Sequence, residues 1–205
     1  MTRSIGFWNL LSSTYAKQSI GNEGAYQRKI AQTQSMMRPD MKVLEIGCGT
    51  GSTAAIHAPH VGHYTGVDYA PKMVAIARGK IGGASNLSFE VSTFADWGAA
   101  DASYDMILGL SILHLMPDYR DTLAKAYRLL KPGGYLVTST ICLGDHAGIV
   151  KYILPVASSL RVAPVIVPFK LDGLTSNIKE AGFDIVDEWQ PTPKEAAYHL
   201  SQKPA

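Results

Sequence analysis

The stretch that decides the fold is Val43-Leu44-Glu45-Ile46-Gly47-Cys48-Gly49-Thr50-Gly51. It begins as a compact apolar run, which predicts a buried strand over 41–46, and it ends abruptly in three alternating glycines. Residues 52–58 then predict a helix, which Pro59 stops. A strand, a glycine loop and a helix in this order are typical of an α/β domain whose backbone approaches a ligand closely at the loop.

Short apolar runs alternate with helix-like segments along the rest of the chain, as in a parallel sheet covered on both faces. Further strands are predicted at 63–68, 87–91, 104–108, 135–141, 183–189 and 196–200, and helices at 71–78, 118–130 and 171–181. A short proline-containing turn joins the last two strands, which are therefore antiparallel. Residues 1–38 predict a cover of one or two helices, and 143–170 predict a second cover on the acceptor side. We expect one domain over 1–205.

Composition limits the class of protein. The chain has 205 residues, 46% of them hydrophobic, and a formal net charge of +2, which suits a packed core and lacks the basic excess of a nucleic-acid-binding protein. Two cysteines, Cys48 and Cys142, cannot make a disulfide framework or a four-cysteine zinc site. No signal peptide and no run of about 18 apolar residues is recognisable, so we expect a soluble, cytoplasmic protein.

Glycine spacing separates two kinds of cofactor. The dinucleotide pattern G-x-G-x-x-G would place the third glycine at Ser52, one residue after Gly51. The nine-residue string instead resembles the first motif of class I S-adenosylmethionine-dependent methyltransferases of the small-molecule type. The resemblance continues in order over about residues 40–200, through Asp68, the turn Lys131-Pro132-Gly133-Gly134 and the terminal strand pair. It implies an α/β fold, a Rossmann-like three-layer sandwich with strand order 3-2-1-4-5-7-6 and an antiparallel last strand.

The same resemblance implies a site for S-adenosyl-L-methionine, with S-adenosyl-L-homocysteine as the product. Asp68 would accept hydrogen bonds from both ribose hydroxyls, and Glu45 would help to position the methionine end. Thr93 stands where the family often has an aspartate for the adenine amino group, so either Thr93 makes that contact or Asp96 reaches in from a shifted loop. The expected cofactor-binding residues are Glu45, Gly47, Cys48, Gly49, Gly51, Asp68, Tyr69, Met73, Thr93, Phe94, Leu110 and Ser111.

The acceptor side has no decisive residue, because methyl transfer from a sulfonium depends mainly on positioning and the exclusion of water. A general base is needed only where the acceptor keeps its proton until late in the reaction. The catalytic candidates are His114 after the fourth strand, and Tyr15 and Tyr26 in the N-terminal cover. Asp145 and His146, after the fifth strand, are further candidates. Each also has a structural interpretation: a loop or capping role for His114, and packing of a helix for the tyrosines.

Metal binding is not expected. The spacing His57-x-x-His60-x-x-His63 invites a metal-site interpretation, but Pro59 and Gly62 break the helix that would align the three rings. Nor is there a zinc-type cysteine cluster, a phosphate-binding loop G-x-x-x-x-G-K-[ST] or a nucleophile elbow G-x-S-x-G.

Three functions remain open at this stage. The first is methyl transfer to a soluble small-molecule acceptor at nitrogen, oxygen, sulfur or carbon. The second is transfer to a lipid- or quinone-like acceptor at a membrane surface, which the apolar cover 149–169 and the N-terminal stretch 5–11 favour. The third is a protein that binds the cofactor without transferring its methyl group. We expect no nucleic-acid partner, no stable membrane insertion beyond peripheral contact, and a monomer or a homodimer.

Overall fold

The structure, a computed structural model, describes residues 2–145 and 165–205, with side chains from residue 5 onward. Its seven strands form one sheet in the order β3-β2-β1-β4-β5-β7-β6. The strand order, with its antiparallel last strand, is therefore the one predicted from the sequence. By its internal packing the chain divides into two compact units, Met1–Gly98 and Ala99–Ala205, which we describe separately.

The first unit begins with two helices, α1 (Thr2–Tyr15) and α2 (Glu23–Gln34), in the region where the sequence predicts a helical cover. Three parallel strands follow: β1 (Lys42–Ile46), β2 (His63–Asp68) and β3 (Leu87–Val91). Helix α3 (Ser52–His57) connects β1 to β2 through a 3₁₀ turn at Ala58–His60, and α4 (Pro71–Arg78) connects β2 to β3. Pro71 begins α4 at the first helical turn, where its missing N–H has no intrahelical partner to lose.

Strand β1 has the burial expected of a central strand. Only its first residue, Lys42, is exposed, and Val43, Leu44, Glu45 and Ile46 are all buried. Glu45 lies opposite Gly66 in the parallel register with β2. Because the carboxyl ends of β1 and β2 lie at the same edge of the sheet, the loop after β1 and Asp68 at the end of β2 are neighbours.

The second unit contains β4 (Tyr104–Leu110), β5 (Leu130–Ile141), β6 (Asp184–Trp189) and β7 (Ala196–Gln202). Strands β4 and β5 are parallel, and β7 is antiparallel to both β5 and β6. Helix α5 (Tyr119–Leu129) precedes β5, and α6 (Leu171–Glu180) precedes β6. Asp118 occupies the N-cap position of α5, although its side chain makes no capping hydrogen bond.

Candidate functional site

The glycine loop between β1 and α3 requires its glycines. Gly47, Gly49 and Gly51 have φ values of 65°, 53° and 73°, the left-handed region that residues with a Cβ rarely adopt. The loop is held against β2, since the backbone N–H of Cys48 donates to the carbonyl of Val67 at 3.1 Å. A tight loop of exposed backbone is thereby fixed at the carboxyl edge of the sheet.

Asp68 is the acidic group of this loop. Its side chain is 9% exposed, and each carboxylate oxygen accepts one backbone hydrogen bond: Oδ2 from the N–H of Gly49 at 3.0 Å, and Oδ1 from the N–H of Ala70 at 2.8 Å. Burial raises the pKa of this carboxyl, and the two backbone donors act in the opposite direction. A carboxylate has about four acceptor positions, so Asp68 keeps capacity for two further donors, such as a pair of vicinal hydroxyls.

Glu45, at the end of β1, is almost completely buried, with 3% of its surface exposed. The hydroxyl of Tyr64 on β2 donates to its Oε2 at 2.9 Å. Burial raises the pKa of Glu45 to about 7, against the opposing effects of the Tyr64 hydrogen bond and the charge of Lys29. Neither Tyr64 nor Lys29 stands out in the sequence, because nothing in the local pattern distinguishes them from an ordinary strand residue and an ordinary helix residue.

Both tyrosines of the N-terminal cover lie near this group. The Cε1 atom of Tyr15 is 3.9 Å from the position that a Cβ on Gly49 would occupy. Burial raises the pKa of Tyr15, and the negative charges of Glu45 and Asp68 add to that effect. Tyr26 shares a side-chain hydrogen bond with Thr53 in the first turn of α3. The structure thus brings Tyr15 and Tyr26 to the same loop as the predicted cofactor residues of this unit.

In the segment after β3, the two residues considered for the adenine contact are hydrogen-bonded to each other. The hydroxyl of Thr93 donates to Oδ2 of Asp96 at 2.6 Å and accepts from the Asp96 N–H at 3.0 Å. Each of the two side chains therefore already has the other as a hydrogen-bond partner. Ser92 ties the start of this segment to β2, since its N–H donates to the carbonyl of Asp68 at 3.1 Å. Of the remaining expected residues, Met73 and Phe94 are buried and Tyr69 is half-buried.

The thiol of Cys48 is buried and unreactive, so the side chain serves to fill space in the loop. Its side chain is buried, and burial raises the pKa of the thiol further above its ordinary value. A thiol that stays protonated is a poor nucleophile. The buried, protonated thiol therefore leaves Cys48 a packing role at the loop, to which it also contributes its backbone.

In the second unit, Leu110 ends β4 and Ser111 follows it with a φ of 58°. A serine in the left-handed region costs of order 1 kcal/mol and is held here by its N–H, which donates to the carbonyl of Ser139 at 2.7 Å. Strain of this kind concentrates where a chain must present backbone or a side chain in a fixed direction. Ser111 is exposed, and Leu110 is half-buried.

His114 lies in a 3₁₀ turn at Leu113–Leu115 and is 6% exposed. Burial lowers its pKa to about 4, so the imidazole is neutral near pH 7. Its Nδ1 is buried and has no hydrogen-bond partner among residues 2–145 and 165–205. Its backbone carbonyl accepts from the N–H of Val167 at 2.7 Å, which ties the turn to the segment before α6.

Of the two candidates after β5, the structure describes Asp145 but not His146. Asp145 accepts a hydrogen bond on Oδ2 from the N–H of Leu171 at 2.8 Å, so it caps the N-terminus of α6. His146 and residues 146–164 of the acceptor-side cover lie outside the described residues. Capping accounts for Asp145 without a catalytic role.

The histidine-rich segment gives no metal site. Within residues 2–145 and 165–205, no group of three or more His, Cys, Asp or Glu side chains is arranged to hold a metal ion. His57 is completely buried, and neither of its ring nitrogens has a hydrogen-bond partner in the described part of the chain. Its burial lowers its pKa to about 4.

Comparison with known protein sequences also points to a methyltransferase domain. Residues 43–134 match the family described as Methyltransferase domain. The O-methyltransferase cnsE of Penicillium expansum is 26% identical over 187 residues, which are 89% of this chain and 65% of that protein. The reducing polyketide synthase Preu2 of Preussia isomera is 32% identical over 120 residues, 55% of this chain and 5% of that protein. The chain thus spans less than two thirds of these relatives.

Solved structures give the same fold. An S-adenosylmethionine-dependent methyltransferase from Mesorhizobium loti superimposes with a TM-score of 0.72 at 16% identity, covering 86% of this chain and 96% of that one. At this identity the likeness shows the fold, and the domain match over 43–134 together with the methyltransferase relative supports a class I S-adenosylmethionine-dependent methyltransferase domain. No helix within the described residues is long and apolar enough to cross a membrane.

Proposed function

We propose that this protein transfers a methyl group from S-adenosyl-L-methionine to a small-molecule acceptor and releases S-adenosyl-L-homocysteine. The observation that carries the proposal is the pairing of Asp68 with the glycine loop. The carboxylate is fixed by the N–H groups of Gly49 and Ala70 and retains acceptor capacity at the carboxyl edge of the sheet. Such an arrangement suits the two hydroxyls of a ribose, and the loop beside it lets backbone approach the rest of the ligand.

The residues of the chain would bind the cofactor at four of its parts: the ribose, the methionine end, the adenine and the sulfonium. Asp68 would bind the ribose, Glu45 would face the amino group of the methionine end, and the backbone of Gly47, Cys48, Gly49 and Gly51 would lie beneath the ligand. Tyr69, Met73, Thr93 and Phe94 would border the adenine, and Leu110 and Ser111 would lie beside the sulfonium. We extend the proposal to one methyltransferase domain over 1–205, with 1–38 and 143–170 defining the acceptor pocket.

The cofactor, once bound, supplies an activated methyl group for in-line displacement by the acceptor atom. The chain contributes orientation and the exclusion of water, which account for most of the rate where the leaving group is already good. His114 is the candidate base for an acceptor that keeps its proton, because its imidazole is neutral at pH 7; burial, which lowers its pKa to about 4, makes it a weak base until a ligand or acceptor alters its surroundings. Tyr15 and Tyr26 would contact either the methionine end or the acceptor.

The relatives and the charge support a small acceptor. The Penicillium expansum relative is named an O-methyltransferase, and the Preussia isomera relative is a polyketide synthase. The formal net charge of +2 gives no general attraction to a polyanion. We therefore favour an uncharged or weakly charged small molecule over a macromolecule.

An amphiphilic acceptor, such as a lipid or a quinone, is the second candidate. Helix α1 carries Leu10 with 80% of its surface exposed, and Phe7 and Trp8 are half-buried beside it. Apolar side chains on an N-terminal helix suit contact with a membrane surface. Methylation of vesicle-embedded acceptors at a higher rate than soluble analogues would favour this candidate, and equal rates would exclude it.

Calorimetric titration with S-adenosyl-L-methionine and S-adenosyl-L-homocysteine tests the proposal. Asp68→Ala is expected to lower affinity by about 100-fold, the value of two hydrogen bonds to a charged group. Asp40→Ala is the matched control, because Asp40 is an exposed carboxylate that pairs only locally with Arg38, and its affinity should equal that of the wild type. Unchanged affinity in a folded Asp68→Ala variant would contradict the ribose assignment.

A second experiment on the wild-type protein distinguishes catalysis from cofactor binding alone. An acceptor panel assayed for S-adenosyl-L-homocysteine should give a turnover signal with at least one oxygen, nitrogen, sulfur or carbon acceptor. Binding without product for every acceptor would indicate a protein that holds the cofactor and does not transfer its methyl group.

A further inference from the structure

Glu45 has a hydrogen-bond partner, Tyr64, that lies outside the glycine-loop motif. Tyr64 on β2 is completely buried, and its hydroxyl donates to Oε2 of Glu45 at 2.9 Å. Burial and the nearby charge of Glu45 raise the pKa of the phenol well above its ordinary value, so the hydroxyl stays a donor at every physiological pH. The bond joins two strands that are adjacent in the sheet and 19 residues apart in the chain.

Three groups in the first unit act on the pKa of Glu45: Tyr64 and Asp68 from β2, and Lys29 from α2. The charge of Glu45 in turn raises the pKa values of Tyr15, Tyr26 and Cys48, which face it from α1, α2 and the glycine loop. Lys29 is the cation among these six groups; its positive charge favours the ionised carboxylate, and its own pKa is lowered by burial. The negative charge of Asp68 acts in the opposite direction.

Two opposing requirements meet at this carboxyl group. A methionine-like ligand presents an ammonium group, which a carboxylate binds strongly only when it is ionised. Burial favours the neutral acid instead. A hydrogen bond donated to one oxygen stabilises the ionised form and also removes the rotational freedom of the carboxylate.

We propose that Tyr64 is a positioning residue for the cofactor: its hydroxyl fixes Oε2 of Glu45, favours the ionised form of the carboxyl group, and leaves Oε1 directed to the ammonium of the amino-acid end of the ligand. The inference rests on the proposed cofactor site and adds to it a residue that contacts no ligand. It makes affinity depend on pH through Glu45, with Tyr64 setting the pH at which affinity is lost.

The first test uses the protein without ligand. Carbon-13 NMR of the Glu45 carboxyl during a pH titration should give a midpoint near 7 in the wild type. Tyr64→Phe should move it upward by about 0.5–1 pH unit, because one hydrogen bond that favours the ionised form is lost. Tyr198→Phe, which removes a hydroxyl from an equally buried tyrosine on β7, is the control and should leave the midpoint unchanged. An unmoved midpoint in Tyr64→Phe overturns the proposal.

The second test measures the dissociation constant for S-adenosyl-L-homocysteine between pH 6 and 9. Tyr64→Phe should weaken binding about 2–5-fold at pH 7 and progressively less as pH rises, because Glu45 is then ionised in both proteins. The amino group of the ligand titrates identically in every variant and cancels from the comparison. Superimposable profiles for wild type and Tyr64→Phe would overturn the proposal.

A double-mutant cycle separates positioning from a general structural effect. Glu45→Gln should weaken binding at every pH, and adding Tyr64→Phe to it should cause no further loss. A further tenfold loss in the double variant would mean that Tyr64 acts through the fold, and would overturn the proposal. Wild-type protein that binds no S-adenosyl-L-homocysteine at any pH would instead refute the proposed function, whereas the NMR midpoints report on the Tyr64–Glu45 coupling separately.

Discussion

Gly51 combines two constraints that are usually met at different residues. Its φ is 73°, and a Cβ added to it would lie 2.7 Å from Cζ of Phe89 and 2.8 Å from Cβ of Ala77. The position therefore needs glycine both for backbone conformation and for the close approach of the loop to β3 and α4. Only the conformational requirement is evident from the glycine pattern itself.

Gly51→Ala is expected to lower the free energy of unfolding by about 2–4 kcal/mol, the sum of left-handed strain and overpacking. Gly83→Ala is the matched control, since Gly83 has a φ of 84° and nothing within 4 Å of an added Cβ, so it should lose only about 1 kcal/mol. Urea denaturation measures both variants. Equal losses would show that packing against Phe89 contributes nothing.

At the scale of elements, α1 is attached to α4 because a residue of α1 caps the N-terminus of α4. Ala70 is the N-cap of α4 and makes no side-chain capping bond. Oδ1 of Asn9, 63 residues away in the chain, accepts from the N–H of Lys72 at 3.0 Å instead. Trp8 and Tyr15 pack edge to face within α1, with ring centroids 6.1 Å apart. The cap therefore helps to hold the helix that carries Tyr15 to the glycine loop.

Asn9→Ala should release this attachment at a cost of about 1 kcal/mol, the usual value of a helix cap. Amide hydrogen exchange in α1 should become about fivefold faster, with little change in β1 or β2. Asn22→Ala removes a cap that α2 receives from its own preceding residue, through a bond to the N–H of Ala25, and it should leave exchange in α1 unaltered. Unchanged exchange of α1 in Asn9→Ala would refute its role as an attachment point.

At the scale of the whole molecule, the sequence predicted the strand order and most element positions. The bounds of α4 and β3 agree with the prediction because proline, glycine and apolar spacing mark them locally. The ends of β4 and β5 were wrong: β4 extends to Leu110 and β5 begins at Leu130. Tyr104 pairs with Leu130 and Met106 with Tyr135, so the register shifts at the predicted turn and pairing continues on both sides of it. Pairing of this kind depends on the neighbouring strand and has no local signal.

Side-chain partnerships were harder to predict than elements. The bond between Tyr64 and Glu45 and the cap from Asn9 join residues far apart in the chain, so no local pattern predicts them. The pair Thr93 and Asp96 is different, because a threonine followed three residues later by an acidic residue is a known capping pattern. That signal was present in the sequence and was read only as an alternative adenine contact.

Three buried titratable groups with large pKa shifts contribute to the dependence of stability on pH between pH 5 and 6. His57 and His114 have pKa values lowered to about 4, so near pH 5.5 they are neutral in the folded protein and largely protonated when unfolded. Their contribution to stability is present above pH 6.5 and is lost as pH falls towards 4. Glu45 has a pKa raised to about 7, and its contribution is present below its unfolded value of 4.5 and lost as pH rises through 7.

The two histidines outnumber the carboxyl group, so the free energy of unfolding should fall as pH decreases from 6 to 5. One uncompensated proton corresponds to a slope of about 1.4 kcal/mol per pH unit. Glu45→Gln removes the opposing group and should make the slope steeper by up to about that amount. His57→Leu should make it shallower by a similar amount, because it removes a protonation that only the unfolded chain undergoes. Urea unfolding at pH 5, 5.5 and 6 measures all three slopes, and carboxylates elsewhere cancel between variants. Parallel slopes for wild type and Glu45→Gln would mean that Glu45 is ionised throughout this range in the folded protein.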